Sequence, residues 1–458
     1  MKKYAFKSIL QNNKWIENPI ITINEKGNVI EIKENGLKND AIFLNGYALP
    51  GFQNAHSHAF QYAMAGLAEK HKSKNQADDF WSWREAMYQL ALTINPDQME
   101  AIATMLYSEM LRHGYTNVAE FHYLHHDENG KKYSNLAEMG SRLVSAAQNA
   151  GINITLVPIF YQKGGFGQAP NERQKRFISH DIQSYYKLLE ASVKCCENYS
   201  GANVAIGIHS LRGVDANDII DVAKNGPQNL PFHIHISEQL KEIEDALSYL
   251  NKRPVEWLLE NVEINDRFHL VHATHLTDNE CLNLAKSKAN VVLCPSTEGN
   301  LGDGIFPLQS FQKHGGTWSI GTDSHIGLNP LEEIKLLDYG QRLISHNRNI
   351  FTSTEQEDSG LYALEMITKS GRKAMNNFNS DFFNVGDKFC ATVIDASAPL
   401  LANTSIDNIA SSILYTCDVS HQLATIVDGE IKVKNGIHTN KEKIESDFFK
   451  VLKQLKNR

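Results

Sequence analysis

Two histidines one residue apart, His56 and His58, close the stretch Leu49-Pro-Gly-Phe-Gln-Asn-Ala-His56-Ser-His58. Residues i and i+2 of a strand share a face, so both imidazoles can aim at one point. Converging neutral imidazoles are what a borderline-soft divalent cation binds. With 19 histidines in 458 residues, one His-x-His is expected about once by chance, so the pair carries little weight alone. The weight comes from later stretches that end in the same kind of residue. They are Phe232-His-Ile-His235-Ile-Ser-Glu238, Leu270-Val-His272-Ala-Thr-His275 and Gly321-Thr-Asp323-Ser-His325. Taken singly, each histidine is more often a satisfied core or rim residue than a ligand. Strand ends that meet around one axis reverse that reading.

The elements that must position these groups can be read from the pattern. Strand signals fall at 48–58, 115–122, 153–161, 203–211, 230–238, 268–276, 290–295 and 317–325, with helical segments between most of them. Asn95-Pro96 is an N-cap followed by Pro at the first helical position, opening 97–113, and Gly114 closes it. Helices at 215–224, 238–249, 277–288 and 330–345 fill later slots. Eight strands alternating with helices predict a (β/α)8 TIM barrel, whose active site lies at the C-terminal ends of the strands. The chain exceeds the roughly 250 residues of a bare barrel by about 200. Short strand-like runs at both ends, the later one with an Asp428-Gly429 turn, predict a small β-sandwich from 1–48 and 380–458 around a barrel at 49–379. The cluster Gly164-Gly165-Phe-Gly167 reads as a mobile loop over the barrel mouth, since no phosphate-binding Gly-x-x-x-x-Gly-Lys pattern accompanies it.

Composition limits the partners. A net charge of −8 argues against a nucleic-acid surface, and the basic runs at 70–74 and 432–434 read as solvated edges. No run approaches 18 apolar residues and the first residues lack the apolar core of a secretory signal, so no membrane partner and a cytoplasmic location are expected. Six cysteines without a Cys-x-x-Cys pair read as reduced structural thiols.

The strand-end set of His-x-His, His, His and Asp resembles the amidohydrolase superfamily of metal-dependent hydrolases and deaminases. Within it, the chain is similar to the N-formimidoyl-L-glutamate deiminases. The stretches carrying that likeness are His56-Ser-His-Ala-Phe-Gln61, Ala63-Met-Ala-Gly-Leu-Ala-Glu69, Phe80-Trp-Ser-Trp-Arg84-Glu85, Ala119-Glu-Phe-His-Tyr123-Leu-His-His126, His209-Ser-Leu-Arg212, His233-Ile-His235-Ile-Ser-Glu238-Gln239, Val271-His272-Ala-Thr-His275 and Cys294-Pro-Ser-Thr-Glu-Gly-Asn-Leu-Gly-Asp303-Gly304.

The resemblance implies a metal on His56, His58, His235 and Asp323, most naturally Zn2+, with Fe2+ admissible for three nitrogens and one carboxylate. Binuclear relatives carry a lysine on the fourth strand; residues 203–211 contain none, so one ion is expected. His233 shares the parity of His235 but lies one layer deeper, as a packed residue. Bound zinc lowers the pKa of its water to about 7, and attack of that water on the formimidoyl carbon releases ammonia once the leaving nitrogen is protonated. The family mechanism implies Glu238 as the proton carrier, Asp323 and His272 as the groups that hold and deprotonate the water, and Gln61 as a hydrogen-bond partner of the formimidoyl group. Arg84, Tyr123, His209 and Arg212 would bind the carboxylates of a small dicarboxylate substrate. Blander readings stand beside these: Glu238 as a first-turn acid, and Arg84 stacked on a neighbouring indole. Tyr62, Gly299 and Thr322 stand where the family usually has Arg, Ala and Ser. Two rivals remain open, a purine or nucleoside aminohydrolase on the same scaffold and a non-catalytic barrel. The family also implies a homodimer.

Overall fold

The computed structural model describes residues 1–36, 40–69, 80–379 and 381–455; the basic run at 70–74 lies outside the described residues. The N-terminal segment supplies β1 (Lys2–Gln11), β2 (Lys14–Glu17), β3 (Ile20–Ile23), β4 (Val29–Lys33) and β5 (Ile42–Pro50). Asn12 and Asn13, at φ 46° and 65°, make the tight turn from β1 to β2 that asparagine tolerates at positive φ. The barrel strands follow: β6 (Phe52–Ser57), β7 (Tyr115–His122), β8 (Asn153–Phe160), β9 (Ala202–Val204), β10 (Ile206–Ile208), β11 (Phe232–Ile236), β12 (Phe268–His272), β13 (Asn290–Leu293) and β14 (Thr317–Ile320). The chain ends with β15 (Ala391–Asp395), β16 (Gln422–Val427), β17 (Glu430–Lys434) and β18 (Ile437–His438).

The barrel runs β6-β7-β8-β10-β11-β12-β13-β14 with every pair parallel, and β9 pairs with β8. Its strands are buried on both faces, as β6, β11, β12 and β13 show at every residue, which is why they read as near-continuous apolar runs. The fourth expected strand is interrupted at Ala205, whose amide bonds instead to the Leu156 carbonyl at 2.9 Å. Several strands end sooner than the pattern suggests. β12 stops at His272 and β14 at Ile320, so Asp323 sits on the turn beyond its strand. The helix Pro96–Arg112 carries the expected Asn95 cap, reinforced by a reciprocal bond from Gln98.

Closure of the barrel joins its first and last strands. Ser57 and Asp323 form a parallel bridge, and the Thr322 and Asp323 amides both donate to the His56 carbonyl at 3.1 and 3.0 Å. Beneath them Asn54 and Thr322 exchange two bonds, Asn54 Nδ2 to Thr322 Oγ1 at 2.8 Å and Thr322 N to Asn54 Oδ1 at 3.0 Å. The threonine therefore keeps the hydroxyl that the family's usual serine would supply.

The terminal strands form one sheet, β18-β17-β16-β15-β5-β1-β3-β4 with β2 on β1, and they gather a core of their own around Phe6, Ile21, Phe389 and Val393. Its pairs are antiparallel except β1 with β5, which run parallel. Not all of 380–458 joins that sheet. The helices Ile409–Thr416 and Lys441–Gln454 bury Ile413, Phe448 and Val451 in the barrel's core.

The closure predicts a measurable cost. Thr322→Val keeps the shape but leaves a buried Asn54 amide hydrogen without its acceptor, and is expected to lower stability by about 1–3 kcal/mol, read as a lower urea midpoint. Thr322→Ser is expected to behave like the parent protein.

Candidate active site

Three imidazole nitrogens meet at the barrel mouth. His56 Nε2 lies 3.1 Å from both His58 Nε2 and His235 Nε2, and Asp323 Oδ1 lies 3.3 Å from His58 Nε2 and 3.6 Å from His56 Nε2. The opposite ring nitrogens explain the orientation. His58 Nδ1 donates to the Phe121 carbonyl at 2.7 Å and His235 Nδ1 to the His209 carbonyl at 3.0 Å. A carbonyl can only accept, so both protons sit on Nδ1 and both Nε2 atoms present lone pairs inward. Burial, followed by neighbouring histidines, lowers His56 and His235 well below the ordinary histidine range and brings His58 to about 3. His56 turns its Nε2 to the Nε2 atoms of both His58 and His235, with its Nδ1 buried and unpartnered among the described residues. The donor set of three neutral imidazoles and one carboxylate therefore fits a divalent metal.

The neighbouring chain is clamped around this point. Glu120 accepts from Ser57 Oγ at 2.6 Å, the Ala59 amide at 2.7 Å and Tyr107 Oη at 3.0 Å, fixing the turn that carries His58. Ser237, His272 and Asp323 sit at φ 53°, 69° and 46°, the left-handed region that costs a non-glycine residue about 1–2 kcal/mol. Such backbone strain is concentrated where side chains must be aimed.

His272 stacks on His235 with ring centres 5.5 Å apart. Its Nε2 lies 3.8 Å from both Glu238 Oε1 and Asp323 Oδ2, and its Nδ1 lies 3.3 Å from Glu298 Oε1. Burial disfavours its charge, yet the carboxylates of Glu238, Glu298 and Asp323 outweigh that and push it up to about 10. The ring also presents a nitrogen within 4.8 Å of ligand nitrogens of His56 and His235. His233, by contrast, donates from Nε2 to the Ala374 carbonyl at 3.1 Å, away from the converging imidazoles.

The cavity above these groups has a volume of about 50 Å3; its polar lining is His58, Gln61, Arg84, Tyr123, His209, Arg212, His235, Glu238, His272 and Asp323, with Phe80, Trp83, Tyr88, Tyr161 and Phe177 as its aromatic wall. Tyr123 stacks on His58 at 4.6 Å with its hydroxyl 3.4 Å from Nε2. His209 is sandwiched on Tyr161 at 4.0 Å and bonds through Nδ1 to Ser210 Oγ at 2.7 Å. Arg212 reaches Glu238 Oε2 at 3.2 Å and Glu242 Oε2 at 3.1 Å. Arg84, on the helix Phe80–Ala91, lies 5.6 Å over the ring of Tyr88; the side chain of Trp81 lies outside the described residues. The expected mobile segment folds as a turn in which Gly164 N and Gln168 N each bond across it at 3.0 Å.

Of the positions that depart from the family pattern, Tyr62 stacks on Phe448 at 5.7 Å and does not line the cavity, and a methyl group at Gly299 would meet nothing within 4 Å. Sequence reasoning passed over three carboxylates here. Glu242 and Glu298 are buried acids on helices, and Asp303, raised by burial and by Glu238, pairs with Gln239. Glu298 and Asp303 stood within a quoted motif, but nothing in their spacing marked them as facing inward.

The Amidohydrolase family profile matches residues 47–432. The chain is 40% identical over 453 residues to the formimidoylglutamate deiminase of Pseudomonas aeruginosa, covering 99% of each protein. It superposes on the crystal structure of an amidohydrolase from Brucella melitensis with TM-score 0.93 at 38% identity, covering 99% of this chain and 100% of that one. A zinc-bound adenosine deaminase from Xanthomonas campestris shares the fold, with TM-score 0.80 at 17% identity over 100% of this chain and 98% of that one. By end-to-end similarity the chain belongs to the amidohydrolase family.

Proposed function

We propose that this chain hydrolyses N-formimidoyl-L-glutamate to N-formyl-L-glutamate and ammonia, using one divalent metal ion, zinc by its donor set. One observation carries the reading beyond the family: two arginines, Arg84 and Arg212, open into the same cavity as the converging imidazoles. A metal centre beside paired cations suits a substrate whose reacting group sits on a short dicarboxylate. The similarity to the Pseudomonas aeruginosa deiminase supports the same substrate. The cavity is also lined by Phe80, Trp83, Tyr88, Tyr161 and Phe177, so it is the paired arginines and the likeness to that deiminase that disfavour the nucleobase alternative.

His56, His58, His235 and Asp323 would hold the metal, which when bound acidifies a water to a pKa near about 7. The rest of the reaction falls to the protein's side chains. Asp323 orients the attacking water and takes its proton, while His272 holds that water and steadies the developing charge. Water oxygen bonds to the formimidoyl carbon, and the bond from that carbon to the terminal nitrogen breaks. Glu238, 3.8 Å from His272, delivers the proton that lets the nitrogen leave as ammonia. Gln61, buried with its Oε1 unpartnered among the described residues, faces the cavity as an acceptor for a formimidoyl N–H. Tyr123, His209, Arg84 and Arg212 hold the carboxylates by charge-assisted bonds. Residues 203–211 lack the lysine of binuclear relatives, which favours one ion over two. A cytoplasmic homodimer belongs to this reading through the family resemblance; among the described residues, no helix is long and apolar enough to cross a membrane.

Three measurements test it. Metal-replete protein is expected to hold about one zinc per chain and to release ammonia from N-formimidoyl-L-glutamate but not from guanine or adenosine; the reverse preference would overturn the substrate. Glu238→Gln is expected to keep its metal while kcat falls by about 10²–10⁴-fold. Arg212→Ala is expected to raise KM by about 10- to 100-fold, the worth of a charge-assisted bond, and an unchanged KM would remove Arg212 from substrate binding.

A further inference from the structure

We infer that Glu242 is a positioning residue, which fixes the carboxylate anchor Arg212 and the proton carrier Glu238 relative to each other; the inference rests on the function proposed above. Glu242 is 1% exposed and lies on the first turn of the helix Leu240–Leu250. One of its oxygens, Oε2, accepts both from Arg212 Nη1 at 3.1 Å and from the Glu238 backbone amide at 3.0 Å. Arg212 Nη2 in turn donates to the Glu238 side chain at 3.2 Å. The three groups close a ring in which one buried oxygen touches the anchor and the backbone of the acid.

A helix start alone does not require this. An amide or hydroxyl can satisfy first-turn N–H groups equally well, and a buried carboxylate is costly unless a cation compensates it. The compensation here is the guanidinium itself. Arginine has several rotatable bonds and five N–H donors in a rigid fork. With Nη1 held by Glu242, the fork cannot rotate to place both Nη groups on Glu238. Its Nε–H, buried and without a partner among the described residues, remains as a donor for an incoming carboxylate. Glu242 thus prevents the anchor from collapsing onto the proton carrier, and it does not itself line the cavity at the converging imidazoles.

Glu242→Gln keeps the volume and the helix-start acceptor but removes the charge that holds Arg212. In metal-replete protein it is expected to lower kcat/KM for N-formimidoyl-L-glutamate by on the order of tenfold, mainly through KM, with zinc content and thermal midpoint close to the parent. The decisive measurement is a double-mutant cycle. When Arg212→Gln is already present, adding Glu242→Gln is expected to change kcat/KM by less than about twofold. Equal losses in both backgrounds, an unchanged KM in the single variant, or loss of zinc would each overturn the positioning role. Should Glu242→Gln not fold, Glu242→Asp, which withdraws the carboxylate by one methylene, takes its place in the cycle with the same expected non-additivity. No turnover by the parent protein would overturn the substrate assignment and this inference together; turnover with an additive cycle would overturn the inference alone.

Discussion

Everything at the barrel mouth depends on three imidazole lone pairs being forced toward one point in a dry environment. His56 Nε2 lies 3.1 Å from the Nε2 atoms of both His58 and His235, an arrangement that apolar packing alone does not select. It is maintained from behind by the Phe121 and His209 carbonyls, which hold two of the rings through their Nδ1 protons. Those carbonyls belong to neighbouring strand ends, so ring orientation is set by strand register. A one-residue slip would turn His58 and its carbonyl partner to opposite faces.

A second constraint is electrostatic. Glu238, Glu298, Asp303 and Asp323 crowd around His272, and all are nearly buried. Arg212 sets its positive charge against Glu238, and His272 Nε2 lies 3.8 Å from both Glu238 and Asp323. The site is therefore acidic around the converging imidazoles and basic toward the cavity wall where Arg84 opens. That polarity gives a dicarboxylate one favourable orientation, with its anionic groups away from the acid cluster.

How much of this was legible in the chain varies by the range of the interaction. The eight-stranded barrel was legible, because strands buried on both faces leave long apolar runs that alternate with capped helices. His56, His58, His235, His272 and Asp323 stood out because imidazoles and a carboxylate at the ends of apolar runs are chemically conspicuous. Glu242 did not, since an acid in the first turn of a helix looks the same whether it faces solvent or a buried guanidinium. Glu120 was hidden for a related reason: its partners, Ser57, Ala59 and Tyr107, come from three separate elements. The parallel pairing of β1 with β5 was equally hidden, as nothing local distinguishes it from another hairpin arm.

The seam between β6 and the turn after β14 has a consequence for how the protein comes into being. The paired histidines are among the first barrel residues to be synthesised, and the carboxylate that faces them is among the last. A nascent chain paused between positions 235 and 317 carries three of its four proposed ligands and lacks β14, the strand that completes the barrel. Completion of the ion-binding pocket and closure of the cylinder are thus one event, and capture of the ion reports that the final strand has found its place.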